Sequence, residues 1–262
     1  MVRGMRRYNT RVIRHIVCAV LLASMALSSL AAERRVLLAV LPDEQAIEPI
    51  VLLDPIERPR EEFTFARTYT LSTDGRATGT VRANELVKLG CVSTAAKVQL
   101  SGEGNFAANF ETKPVVVREA TEDEAALLLR WARLFLVNHG IARKNVAKLE
   151  TYVDVVDPGD GDPLFVATFA TTAYEAPGGA AFLIARTADV SATSVVPQYA
   201  RFGERDTDSK DLVEPLFGAI DVDRDGIAEL VTQRHHKEGY DYIVYRRTDG
   251  RWTAVTGGGS GC

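Results

Sequence analysis

Asp221, Asp223, Asp225 and Glu229 lie in the stretch AIDVDRDGIAEL, wrapped around one glycine, Gly226. Counted from Asp221, the aspartates take positions 1, 3 and 5, the glycine position 6, Ile227 position 7 and Glu229 position 9. Carboxylates this close repel one another, so a tight turn through them calls for a cation. An oxygen-only set, with the backbone carbonyl of Ile227 added, suits hard Ca2+ better than zinc. No cysteine or histidine interrupts the loop. The competing reading is a solvated acidic turn without metal.

The rest of the chain has no comparable signal. Beyond the first 32 residues the histidines are His139, His235 and His236, and the adjacent pair would point to opposite faces of a strand. GEGNFA at 102–107 lacks the third glycine and the lysine of a phosphate loop, and the terminal GGGSGC lacks the spacing of a nucleophile elbow. Trp131 falls on a helical apolar stripe, which makes it core rather than a ligand platform. Paired carboxylates for glycoside hydrolysis leave no sequence signature. No catalytic or cofactor-binding residue is therefore assigned. The expectation is a non-enzymatic binding or adhesion-type module with a protein or glycan partner. A secreted hydrolase with scattered catalytic groups is the alternative, and a structural envelope protein is a third reading.

The elements beside the acidic loop decide its type. PLFGAI before it is too short for a helix and contains Pro215, AELVTQ after it reads as a strand, and Thr232 stands where an EF-hand places glutamate. D-x-D-x-D-G-x-x-E-L-V between strands resembles the calcium loop of the FG-GAP/VCBS repeat, the unit of integrin-type β-propellers, over residues 217–256. The resemblance implies a structural Ca2+ held by Asp221, Asp223, Asp225, the Ile227 carbonyl and Glu229. An earlier stretch looks related. Residues 159–169 align with 224–234, and 178–189 with 239–250, setting Asp160-Gly161 on Asp225-Gly226 and Arg186 on Arg247. Positions 1, 3 and 9 of that earlier loop are Val156, Pro158 and Leu164, so one competent site is expected. Two candidate units cannot close a propeller.

Around these loops the pattern predicts an α+β protein, mostly antiparallel β with one main helix at about 121–139. Strand-length apolar runs and the Asp74-Gly75 hairpin turn mark a β-rich region over 33–119. Thr121 and Glu124 form a T-x-x-E capping box, Leu128, Trp131, Leu134 and Phe135 recur at helical spacing, and Gly140 is the stop. Residues 120–256 then hold the helix and the two β units, and 257–262 read as a flexible glycine-rich tail.

Residues 1–32 read as a signal peptide. Five arginines precede an apolar run from Ile16 to Leu30 and a small-residue site at Ala31-Ala32. That run is too short to span a bilayer, so no membrane span is expected after cleavage, and the address is periplasmic or extracellular. The chain carries a formal charge of −4, and removing five arginines and no acid takes it to −9. Such a surface repels phosphate backbones, which excludes nucleic acid as a partner. Cys91 and Cys262 are the cysteines left after cleavage, and an oxidising compartment permits a disulfide between them or leaves two free thiols.

Overall fold

The computed structural model describes residues 35–52, 67–89, 93–172, 178–191, 193–205, 213–236, 239–255 and 258–261, all within one compact unit, Arg35–Cys262. The stretch expected to be a signal peptide (1–32), Cys91 and Cys262 lie outside the described residues.

Six antiparallel strands close a barrel in the order β1-β2-β5-β4-β3-β6. They are β1 (Val36–Leu41), β2 (Ala46–Leu52), β3 (Thr68–Thr73), β4 (Arg76–Leu89), β5 (Ser93–Ser101) and β6 (Phe106–Ala108). Side chains alternate across a strand. In β1, Val36, Leu38 and Val40 fill the barrel with Ile47, Tyr69, Leu71 and Val98. Leu37 and Ala39 point the other way, into a second core.

Two further sheets follow. One has the order β11-β10-β9-β8-β7, from β7 (Val116–Glu119), β8 (Leu149–Asp157), β9 (Leu164–Thr171), β10 (Gly178–Arg186) and β11 (Tyr199–Arg205). The other has the order β12-β13-β14-β15, from β12 (Leu216–Ile220), β13 (Glu229–His236), β14 (Gly239–Thr248) and β15 (Arg251–Val255). β7 pairs with β8 rather than with the barrel strands. The tail expected to be flexible is instead ordered over β16 (Gly259–Gly261). It pairs with β14, and Gly258 N–H donates to Ile50 O at 2.7 Å.

The layers stack as barrel, sheet, sheet, helix. Ile220, Val222, Val231, Tyr242 and Val244 face the barrel. Ala228, Leu230, Tyr245 and Trp252 face the other sheet, meeting Val156, Leu164, Val166, Phe182 and Ile184. Phe165, Ala167, Phe169, Ala181 and Leu183 point outward again, under the helix. A sheet covered on both faces needs apolar side chains on both. LFVATFA and GGAAFLIA are accordingly apolar apart from Thr168, whose Oγ1 donates to Glu214 O, and every residue in them is buried.

The one α-helix among the described residues, α1 (Glu122–Asn138), has the expected capping box. Thr121 Oγ1 accepts from Glu124 N–H, and Glu124 Oε2 accepts from Thr121 N–H at 2.8 Å. Its buried ridge is Leu128, Ala132 and Leu136, an i, i+4, i+8 line. Leu134, expected on the stripe, is 67% exposed, since it lies on the opposite side from Ala132. Trp131 is half-buried against the sheet and stacks on Phe135 at 4.8 Å. No helix among the described residues is long and apolar enough to cross a membrane.

Candidate metal centre

The acidic loop joins β12 to β13, the first two strands of its sheet. Its ends are pinned by burial: Ile220 and Val222 enter the barrel-side core, and Ala228 enters the core between the sheets. β12 is an edge strand, and its outward backbone groups are met by barrel side chains. Asn105 Nδ2 donates to Phe217 O at 2.6 Å, and Ala219 N–H donates to Asp74 Oδ1 at 3.1 Å. Gly218 lies between them, where a Cβ would collide with the Asn105 amide and the Phe106 ring.

Within the loop, short bonds hold the turn. Asp223 Oδ1 accepts from Asp225 N–H at 3.1 Å, Asp225 Oδ1 accepts from Ile227 N–H at 2.8 Å, and Asp221 Oδ2 accepts from Gly226 N–H at 3.2 Å. Gly226 takes φ 93°, the left-handed region that glycine enters without strain. Arg224 also takes a positive φ, 67°, at a cost an ordinary residue seldom carries. The result brings a carboxylate oxygen from each of Asp221, Asp223 and Asp225 within 4.8 Å of one another.

Glu229 stands apart from that trio. Its Oε2 accepts from Val222 N–H at 2.8 Å, and its Oε1 accepts from Arg246 Nε at 2.9 Å. Arg246 Nε also lies 3.4 Å from Asp223 Oδ2, so one guanidinium bridges the loop's third and ninth positions. Burial pushes the Glu229 carboxyl up to about 7, with the Val222 and Arg246 bonds and the Asp223 charge acting as smaller influences. Ile227 contributes its N–H to the turn.

The donor set fits a hard cation on one specific observation. Asp221 is 5% exposed, and its Oδ1 is buried with no hydrogen-bond partner. An unsatisfied buried carboxylate oxygen is costly, and metal coordination satisfies it. Three carboxylates leave most of the six to eight oxygen positions of Ca2+ to carbonyls, water or other ligands.

The related loop lies between β8 and β9 and touches the first. Ala228 N–H donates to Pro158 O at 2.7 Å, and a Cβ on Gly159 would meet Gly226 O. Strand register changes the alignment read from sequence. Val156 faces Leu164 across the earlier loop and Ile220 faces Glu229 across the later one, so Asp157, not Val156, takes the place of Asp221. The later loop has one residue more. In the hairpins, Ala185 faces Phe165 as Tyr245 faces Leu230, which sets Arg186 on Arg246 rather than on Arg247. Sequence reasoning missed this arginine position because nothing distinguishes Arg246 from Arg247 before the register is known.

Guanidinium groups occupy the earlier loop. Arg186 Nη1 pairs with Asp162 Oδ2 at 2.8 Å, and Arg247 pairs with Asp160. Asp160 and Asp162 are thus paired with arginines, while Asp157 Oδ1 accepts from Gly159 N–H at 3.0 Å. His139 lies beside Phe135 and Phe202, and His235 packs near Tyr240.

No family model, curated protein or solved structure matches the chain.

Proposed function

We propose that this is an exported calcium-binding protein, a non-enzymatic binding module of the FG-GAP/VCBS type, in which Ca2+ at the 221–229 loop fixes the β12–β13 connection. The single observation that carries the reading is the unsatisfied buried Oδ1 of Asp221, set beside the carboxylates of Asp223 and Asp225. In this reading Asp221, Asp223 and Asp225 give carboxylate oxygens and Ile227 its carbonyl. Glu229 serves the site by holding Arg246 and the Val222 N–H, which keeps the loop's two ends together.

Two further features support a blade-like unit. Each sheet contains a four-strand antiparallel meander, β8 to β11 and β12 to β15, with the acidic loop after the meander's first strand. Like strands also adjoin across the stack, β8 beside β12 and β11 beside β15. We take the two as related repeats, one of which keeps its metal while the other substitutes arginines.

Calorimetric titration of Ca2+ into chelator-treated protein tests the site. Extracellular calcium modules bind at about 10⁻⁴ to 10⁻³ M. At a tenfold excess over that constant, linkage gives about 1.4 kcal/mol of stabilisation, a rise of a few degrees in Tm for a chain of this size. Asp223→Ala removes both the heat and the Tm rise, whereas Asp160→Ala, whose carboxylate belongs to Arg247, leaves the calcium response in place. No heat of binding together with equal melting points in calcium and in chelator would overturn the metal.

A further inference from the structure

Beside the acidic loop is a cavity of about 320 Å³ lined by Asp221, Arg224, Glu111 and Lys113. Its far wall is the connection from β6 to β7, and that wall is firmly held. Thr112 Oγ1 donates to Gly75 O at 2.7 Å, and Val115 N–H donates to Asp74 O at 2.8 Å. Between these two anchors the Lys113 backbone lies against the Asp74-Gly75 turn so closely that Gly75 has no room for a Cβ. On the near side, the Arg224 guanidinium sits 6.0 Å from the Phe110 ring centre, a cation–π distance that steadies it at the cavity mouth.

The charges are unusual for a chain this acidic. Among the described residues neither Lys113 nor Arg224 has a carboxylate within ion-pair distance. Glu111 and Asp221 offset them, so the bare cavity is close to neutral. With Asp223 and Asp225 counted as well, the bare site stands at about −2, and a divalent cation on the three aspartates would bring it to about neutral, removing the repulsion an anion would meet, by simple addition of formal charges. Asp221 is the group shared by both features: it lines the cavity, and its buried Oδ1 has no protein partner. With Glu229 committed to Arg246, the protein leaves coordination positions to be filled from outside.

We infer that this cavity is a calcium-gated site for a carboxylate-bearing small ligand, with Lys113 and Arg224 as its protein donors and the Asp221-bound cation as its third attraction. The inference rests on the calcium reading above. The volume suits a group of about one sugar ring, so the probe is galacturonate, with galactose as its neutral counterpart of the same shape. Reciprocity is required: if calcium tightens the acid, the acid tightens calcium by the same factor.

The test uses the full exported protein and is read in order. Calcium is titrated first, and a silent titration removes the calcium reading and this inference together. Galacturonate is then titrated with saturating Ca2+ and with chelator, each corrected for its dilution into the same buffer. Binding at least fivefold tighter with calcium, and none by galactose, is expected, a coupling within the ordinary range. Lys113→Gln and Arg224→Gln should each weaken galacturonate severalfold while the calcium titration is retained. If calcium binds but galacturonate binds no better than galactose, equally well in chelator, or equally well to both variants, the inference is overturned and the calcium site stands.

Discussion

Asp154 shows how one side chain carries a cost that its neighbours impose. It sits on β8 opposite Glu119 of β7, and it is pushed up to about 6, first by burial and then by the charges of Glu119 and Asp74. A carboxyl raised above its ordinary value favours the folded state when protonated. Its contribution is therefore complete below about pH 4 and is lost as pH rises through about 6. At neutral pH the ionised form weakens the fold by on the order of 1–2 kcal/mol, once solvent screening is allowed for. Asp154→Asn should melt a few degrees above the parent at pH 7, and the gap should close near pH 4. Melting curves over pH 3.5–8 check this, and a gap independent of pH would reject it. The same scale separates the two acidic loops. Asp160 and Asp162 already have Arg247 and Arg186, whereas the Asp221 oxygen has no protein partner.

Among the elements, α1 is the one whose ends are described by its own sequence. Glu122, Asp123 and Glu124 lie at the positive end of its dipole, and Glu124 joins the capping box to Arg118 through bonds of 2.9 and 2.8 Å. The Arg118 bonds, then the Thr121 N–H, hold the Glu124 carboxyl down to about 2. A depressed carboxyl stabilises above its ordinary value of 4.5, and that stabilisation is lost as pH falls through about 2. Thr121→Ala should cost about 1 kcal/mol at pH 7, measured by urea denaturation with an unchanged m-value. Part of this deficit should shrink toward pH 2, because acid dismantles the same cap in the parent. A cost that is absent at pH 7 would show that the helix is held by its buried ridge alone.

Across the whole molecule, two buried carboxylates mark the joints between layers. Glu214, fully buried, pairs with Arg201 and accepts from Thr232 Oγ1 at 2.8 Å and Tyr245 Oη at 2.7 Å, linking β11, β13 and β14. Such a charge stabilises only while its partners remain, since removing one leaves it buried and unpaired. Glu48, 1% exposed on β2, lies toward Tyr240 and Tyr242 of β14 without a well-formed hydrogen bond, and burial raises its pKa. Both joints lie outside the loop, so calcium binding and layer packing can be tested separately. The proposed export is tested on the whole chain. N-terminal sequencing of protein from the periplasm or medium should begin near Ala32 or Glu33, and recovery of only an intact Met1 form from the cytosol would refute the leader.

Local signals were enough for the strands, the helix cap and the acidic loop. Hairpin turns, capping boxes and D-x-D-x-D-G spacing all act over fewer than a dozen residues, a range the sequence states directly. Closure of β1–β6 into a barrel, the order of the layers and the pairing of Glu229 with Arg246 were decided by tertiary structure. Each depends on partners far apart in the chain: β1 with β6, Asp74 with Ala219, Arg246 with Glu229. A one-residue difference between the acidic loops put Asp157 in the place of Asp221, and the pairing within each following hairpin set Arg246 against Arg186. Side chains alternate with period two, so a shift of one residue turns each to the other face, and only pairing fixes which face that is.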